Sequence, residues 1–110
     1  MKKGYWRPGM STLIIETEPT AVAIQVTDDE LVVSLLDGRR LSVPLAWYPR
    51  LLQAKPEERN NWRLLGEGYA IEWPYLDEHI GVEGLLAGRP SGESQASLNR
   101  WLVSRSNRAL

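Results

Sequence analysis

TAVAIQVTDDELVVSLLDGRRLSVP, residues 20–44, is the stretch that decides the fold. Val22, Ile24 and Val26 alternate with Ala23, Gln25 and Thr27, Asp28-Asp29-Glu30 makes a polar turn, and Leu31-Val32-Val33-Ser34-Leu35-Leu36 follows. Apolar runs of period two, separated by a polar turn, are the pattern of antiparallel strands. Asp37-Gly38 then stands before Arg39-Arg40-Leu41-Ser42-Val43. Asp-Gly in a two-residue loop suits a type I′ hairpin, whose two central residues both need positive φ. The stretch predicts a three-stranded antiparallel meander.

Working outward, Thr12–Glu16 (TLIIE) reads as a further edge strand, interrupted by Pro19. On the other side, Tyr48, Leu51 and Leu52 lie three and four apart and predict a short helix over 47–53. Pro56-Glu57-Glu58-Arg59 has the composition of a first helical turn. Trp62-Arg63-Leu64-Leu65, Gly66-Glu67-Gly68 and Tyr69-Ala70-Ile71-Glu72-Trp73 predict a second hairpin ended by Pro74, with Tyr69, Ile71 and Trp73 on one face. Val82–Ala87 reads as a helix of one to two turns closed by Gly88. After the linker Arg89-Pro90-Ser91-Gly92, the residues Leu98, Trp101 and Leu102 form a helical stripe. The fold class expected is α+β: a small antiparallel sheet, made of a meander plus a second hairpin, with short helices and a C-terminal helical tail. The chain divides into a flexible basic arm (1–9), a domain (10–88), and a linker with an amphipathic tail helix (89–110).

A chain of 110 residues has room for one core, and an apolar share of 43% is enough to form it. The absence of Cys removes disulfides, thiolate nucleophiles and cysteine metal sites, and fits a cytoplasmic protein. No apolar run approaches the roughly 18 residues of a membrane span, and no targeting segment is read. The net charge of −1 conceals a segregation. Residues 10–88 hold six Lys/Arg against thirteen Asp/Glu, while the arm (Lys2, Lys3, Arg7) and the tail (Arg89, Arg100, Arg105 and Arg108 against Glu93) are each +3. An acidic body attracts basic partners and repels nucleic acid.

Three strings carry a resemblance: LDGRRLSVPLAWYPRLL from Leu36, ERNNWRLLGEGYAIEWPYLDEHI from Glu58 and VEGLLAG from Val82. Together they resemble the small bacterial family of domain of unknown function (DUF) 2442, over roughly residues 20–88. The resemblance implies a small α+β domain with an antiparallel sheet and no assigned activity. It also implies a gene neighbourhood in which members stand beside a small partner of another uncharacterised family, numbered 4160, in an arrangement like a toxin–antitoxin pair. Lys55 stands where a capping Thr or Ser is expected before the Pro, Gly81 where a Ser would cap the next helix, and His79 where the family often has an acid.

No residue pattern points to catalysis. Asp77, Glu78 and Glu83 are read as helix-capping and surface acids rather than an acid–base pair, and Gly66-Glu67-Gly68 as a turn rather than a phosphate cradle. His79, with Asp77 and Glu83, makes too poor a ligand set for a metal, and no cofactor is expected. Trp62 and Trp73 belong to the core, whereas Trp47, Tyr48 and Tyr75, beside prolines at element ends, suit either core or a partner surface. Arg50 is expected to pair with one of the many acids.

The residues expected to engage a small basic protein partner are Trp47, Tyr48, Arg50, Tyr75, Asp77, Glu78 and Glu83. Leu98, Trp101 and Leu102 need a surface, either the chain's own body or a second chain, and the linker favours a second chain and hence a homodimer. The other expectation is a DNA-contacting regulator that uses Arg100, Arg105 and Arg108 of the tail.

Overall fold

The computed structural model describes residues 19–109, with side chains through Ser106. The expected arm, the strand at Thr12–Glu16 and the side chain of Arg108 lie outside the described residues. The meander forms as read. Strand β1 (Ala21–Val26) pairs antiparallel with β2 (Glu30–Leu35), which pairs with β3 (Arg40–Pro44). Leu31, Val33 and Leu35, every second residue of β2, are buried, and the register sets Leu31 opposite Val43 and Val33 opposite Leu41. Because β2 is the central strand, a slip of one residue would turn this whole set toward solvent. The turn between β1 and β2 is closed by Thr27, whose hydroxyl oxygen accepts from the backbone N–H of Glu30 at 2.9 Å.

The hairpin at Asp37-Gly38 differs from the type I′ expectation. Leu35 donates its N–H to the carbonyl of Arg39 at 2.8 Å and accepts from the N–H of Gly38 at 3.0 Å, so the loop holds three residues, Leu36–Gly38. Gly38 has φ 96°, whereas Asp37 is absent from the residues with positive φ. A turn followed by one left-handed glycine is the bulged three-residue solution to the same problem. The Asp37 carboxylate stabilises it by accepting from the N–H of Arg39 at 3.0 Å and from its Nε at 2.8 Å.

A 3-10 turn (Leu45–Trp47) leads into α1 (Pro49–Leu52) and α2 (Pro56–Arg59). Lys55 cannot cap α2 as Ser or Thr would, and its N–H instead donates to Glu58 Oε1 at 2.9 Å. The second hairpin, β4 (Arg63–Leu65) and β5 (Ala70–Trp73), is joined by a third strand, β6 (Glu78–Gly81), to make a second antiparallel sheet. That strand corrects the reading of Asp77 and Glu78 as helix-capping acids. The 3-10 turn Pro74–Leu76 and the left-handed Asp77 (φ 51°) reverse the chain, and Glu78 pairs with Trp73. Tyr69 also departs from expectation. It leaves the left-handed Gly66–Gly68 turn in a helical conformation, stays outside the strand and is half exposed, while Ile71 and Trp73 are buried.

Helix α3 (Val82–Leu86) ends in a Schellman arrangement, with Gly88 N–H donating to Leu85 and Arg89 N–H to Gly84, both at 3.0 Å. After the linker, α4 (Gln95–Ala109) starts at Ser94, whose hydroxyl accepts from the N–H of Ser97 at 3.1 Å. One core draws on both sheets, α1, α3 and α4. The sheets meet where Gly68 touches β1: a Cβ there would collide with the backbone oxygen of Ala21.

Two substitutions separate these backbone constraints. Gly38→Val should cost about 1 kcal/mol or more through φ alone, since nothing lies within 4 Å of its Cβ position. Gly68→Ala should cost more, about 2 kcal/mol or above, because positive φ and a backbone collision add. Urea denaturation of the two variants checks both the size and the order.

Candidate functional site

Arg50 sits near the start of α1, where helical geometry sends Leu51 into the core and leaves residue 50 beside the end of the second sheet. Its Nε donates to both carboxylate oxygens of Glu93 at 2.9 and 3.0 Å, and Nη2 adds a bond of 2.7 Å to Oε2. Nη1 donates to the carbonyls of Leu76 and Asp77 at 3.1 and 3.0 Å. The pair with Glu93 is largely shielded, the two side chains being 14% and 10% exposed. Glu93 also accepts from the Ser97 hydroxyl at 2.8 Å. These bonds hold the Glu93 carboxyl below the ordinary carboxylate range, Arg50 first among them.

The tail is fixed by more than this clasp. Leu98 and Trp101 are buried in the core and Leu102 packs against it, so the apolar stripe is covered by the chain's own body and needs no second chain. The Trp101 ring lies near two guanidiniums, Arg105 at 4.5 Å and Arg50 at 5.1 Å from its centre. Arg105 donates to both oxygens of Glu58 at 2.8 and 2.9 Å. The linker is tied down by Ser91 N–H to the Trp47 carbonyl at 3.0 Å and by the Tyr48 hydroxyl to the Arg89 carbonyl at 3.2 Å.

Docking the tail creates two open clefts. The first, about 390 Å³, brings together Arg50, Tyr75 and Asp77 of the body with Ser97, Arg100 and Ser104 of α4. The second, about 290 Å³, lies under the linker and holds Tyr48, Glu78, His79 and Arg89. Burial pushes the Glu78 carboxyl up to about 7, against the opposing attraction of Arg50. Burial, with the charge of Glu78, also raises the Tyr48 phenol. Among the described residues, no three His, Asp or Glu side chains converge as metal ligands would.

The expected partner-facing set is therefore divided. Arg50, Tyr75 and Asp77 share one cleft, Tyr48 and Glu78 share the other, Trp47 is half-buried against the core, and Glu83 lines a separate hollow beside Tyr69. Tyr48 and Arg50 serve the internal architecture, as does Arg105 of the tail set, whereas Arg100 is exposed. Glu93 is the residue of this network for which the sequence carried no functional expectation. The pairing of Glu93 with Arg50 spans 43 residues and has no local signature in the sequence.

Two measurements probe this network. Arg50→Met should destabilise the protein by about 2–4 kcal/mol, since it leaves the shielded Glu93 carboxylate without its counter-ion. Hydrogen exchange should show α4 losing protection before the sheets do. Glu78 works in the opposite sense to most acids. Its folded pKa is raised, so the folded state holds the extra proton and stability falls as pH rises from about 4.5 through about 7. Denaturation curves for the wild type should show that decline, and Glu78→Gln should flatten it by about 1 kcal/mol.

No helix among the described residues is long and apolar enough to cross a membrane. No curated protein sequence matches the chain. Among solved structures, a protein of unknown function from Rhodospirillum rubrum is similar at 26% identity, covering 73% of this chain and 96% of its own, with a TM-score of 0.61. An uncharacterized protein from Chromobacterium violaceum shares the fold at 24% identity, with coverages of 76% and 77% and a TM-score of 0.59. The model of the family described as protein of unknown function (DUF2442) matches residues 21–91, which span the whole of both sheets, and the chain belongs to that family.

Proposed function

We propose that the chain is a non-enzymatic protein-binding module whose acidic body engages a small basic protein, as the antitoxin-like member of a pair with a toxin-like neighbour. The observation that carries this reading is the acid left over after the internal ion pairs form. Those pairs take up Arg39, Arg50, Arg59, Arg63 and Arg105. Asp29, Glu30, Glu57, Glu67 and Glu83 stay exposed with no ion-pair partner among the described residues. The 3.3 Å contact of Arg59 with Asp28 holds the β1–β2 turn beside α2, so Asp29 and Glu30 stand at the same end of the body as Glu57. Of the basic groups nearby, Arg59 is turned inward, donating to the carbonyls of Leu51 and Leu52 at 2.9 and 3.0 Å, and Lys55 is exposed. A partner rich in Lys and Arg would meet a net negative field there, since Asp29, Glu30 and Glu57 outnumber Lys55, and such a field speeds encounter and sets orientation.

The DNA-contacting reading rests on a thinner base. Arg105 is bound to Glu58, which leaves Arg100 as the open member of that set among the described side chains.

Co-expression with the product of the adjacent gene should give a complex that survives size-exclusion chromatography and weakens as salt is added. Replacing Asp29, Glu30 and Glu57 together by Asn, Gln and Gln should weaken it about tenfold or more at low salt, with little loss of stability. A complex indifferent to these charges, or none at all, would remove the proposal. Tight DNA binding that falls steeply with salt would favour the alternative.

A further inference from the structure

The first cleft has more hydrogen-bond donors than the chain can use. Its α4 wall presents Ser97, Arg100 and Ser104, at helical positions that share a face. Arg100 is exposed and makes no hydrogen bond or ion pair among the described residues, and the Ser104 hydroxyl likewise has no partner there. Arg50 has four of its N–H groups committed internally and so retains one. On the acceptor side, Glu93 is engaged by Arg50 and Ser97. The carboxylate that remains open is Asp77, 97% exposed and held by Arg50 at a loose 3.7 Å. The body wall is apolar, with Pro74 and Tyr75, the latter 67% exposed, facing the cleft, and Trp101 of α4 lines it from the other side.

We infer that this cleft binds a small phosphate monoester carried on a flat ring, of which a nucleoside monophosphate is the simplest form. Each part of such a ligand meets a matching group. The phosphate, rich in acceptors, takes the unclaimed guanidinium of Arg100 and the Ser104 hydroxyl, the planar donor array and neutral donor that phosphates favour. The ring lies on Tyr75, which gains the apolar contact it lacks in the free protein. Asp77 accepts from a ligand hydroxyl, such as one on a sugar carried by the ester. A volume of about 390 Å³ falls within the range of small-ligand sites. This inference stands apart from the acidic end of the body and does not depend on a protein partner being found.

NMR titration of the full-length labelled protein tests it, following the Trp101 indole N–H and the α4 amides. Adenosine monophosphate should give saturable shifts with a Kd of about 1 mM or tighter, and ribose 5-phosphate should bind at least about fivefold more weakly. Arg100→Gln should weaken both esters about tenfold or more. Tyr75→Ala should erase the difference between them. Arg40→Gln, an exposed arginine on β3, should change neither. Four results would overturn the inference: no saturable shift at about 10 mM ligand, equal losses in Arg100→Gln and Arg40→Gln, an unchanged preference in Tyr75→Ala, or tighter binding of inorganic phosphate than of the nucleotide.

Discussion

The guanidinium of Arg50 joins parts of the chain that backbone pairing does not connect. It starts from α1, closes the carbonyls of Leu76 and Asp77 at the turn into β6, and grips Glu93 just ahead of α4. Each of these bonds answers a separate need. The turn at Pro74–Asp77 contains a left-handed aspartate whose backbone must be held, and the two N–H groups of Arg50 Nη1 donate one to each of its carbonyls while Nε and Nη2 remain for Glu93. The tail is a helix of 15 residues, a length at which a helix in water is marginal. It becomes stable by setting Leu98 and Trp101 into the core, and the Arg50–Glu93 pair fixes its angle of approach. Lys at this position would bring one charge without the fork and could not serve both the turn and the tail.

Ion pairs cross between body and tail in both directions. Arg50 of the body holds Glu93 of the tail, and Arg105 of the tail holds Glu58 of the body, which lowers the Glu58 carboxyl below its ordinary range. The charge segregation seen in sequence is thus partly annulled where the two parts meet. Among the described residues, unpaired acids survive at the β1–β2 turn, on α2, at the Gly66–Gly68 turn and on α3, and the exposed Arg100 survives on the cleft wall of α4. The same lowering of Glu58 and Glu93 means that their stabilising bonds are lost only as pH falls through the carboxylate range. Glu78, raised by burial, acts across the window above it.

How much of this could be read from the residues follows from range. The alternation of Leu31, Val33 and Leu35 announced β2 because period-two burial is written locally. Asp37-Gly38 located the hairpin but not its type, since a bulged loop and a type I′ turn both call for glycine and differ in where the strand lets go of Leu36. Strand β6 was not legible: in Glu78-His79-Ile80-Gly81 only Ile80 is apolar, and the strand exists because the preceding turn lays it against β5. The need of Arg50 for an acid was legible from charge and composition. Its choice of Glu93 was not, for Asp77, Glu78 and Glu83 are nearer in sequence and Glu93 sits in the segment that read as basic. The internal bonds of Tyr48 and Arg50 were illegible for the same reason, because the linker and tail they hold carry no local sign of docking there.

The matched family region ends at residue 91, whereas Glu93, Leu98, Trp101 and Arg105 lie beyond it. The first cleft is accordingly a composite: one wall comes from the family domain, through Arg50, Tyr75 and Asp77, and the other from α4, through Ser97, Arg100 and Ser104. Its chemistry depends on both. Without the helix, Arg50 would keep its two carbonyl acceptors but lose its shielded counter-ion. With it, the leftover donors of α4 are set opposite an aromatic wall at a fixed spacing. The family domain and the segment that follows it thus share one core and one cleft, and Arg50 couples the two because the residue that braces the turn is also the one that seats the tail.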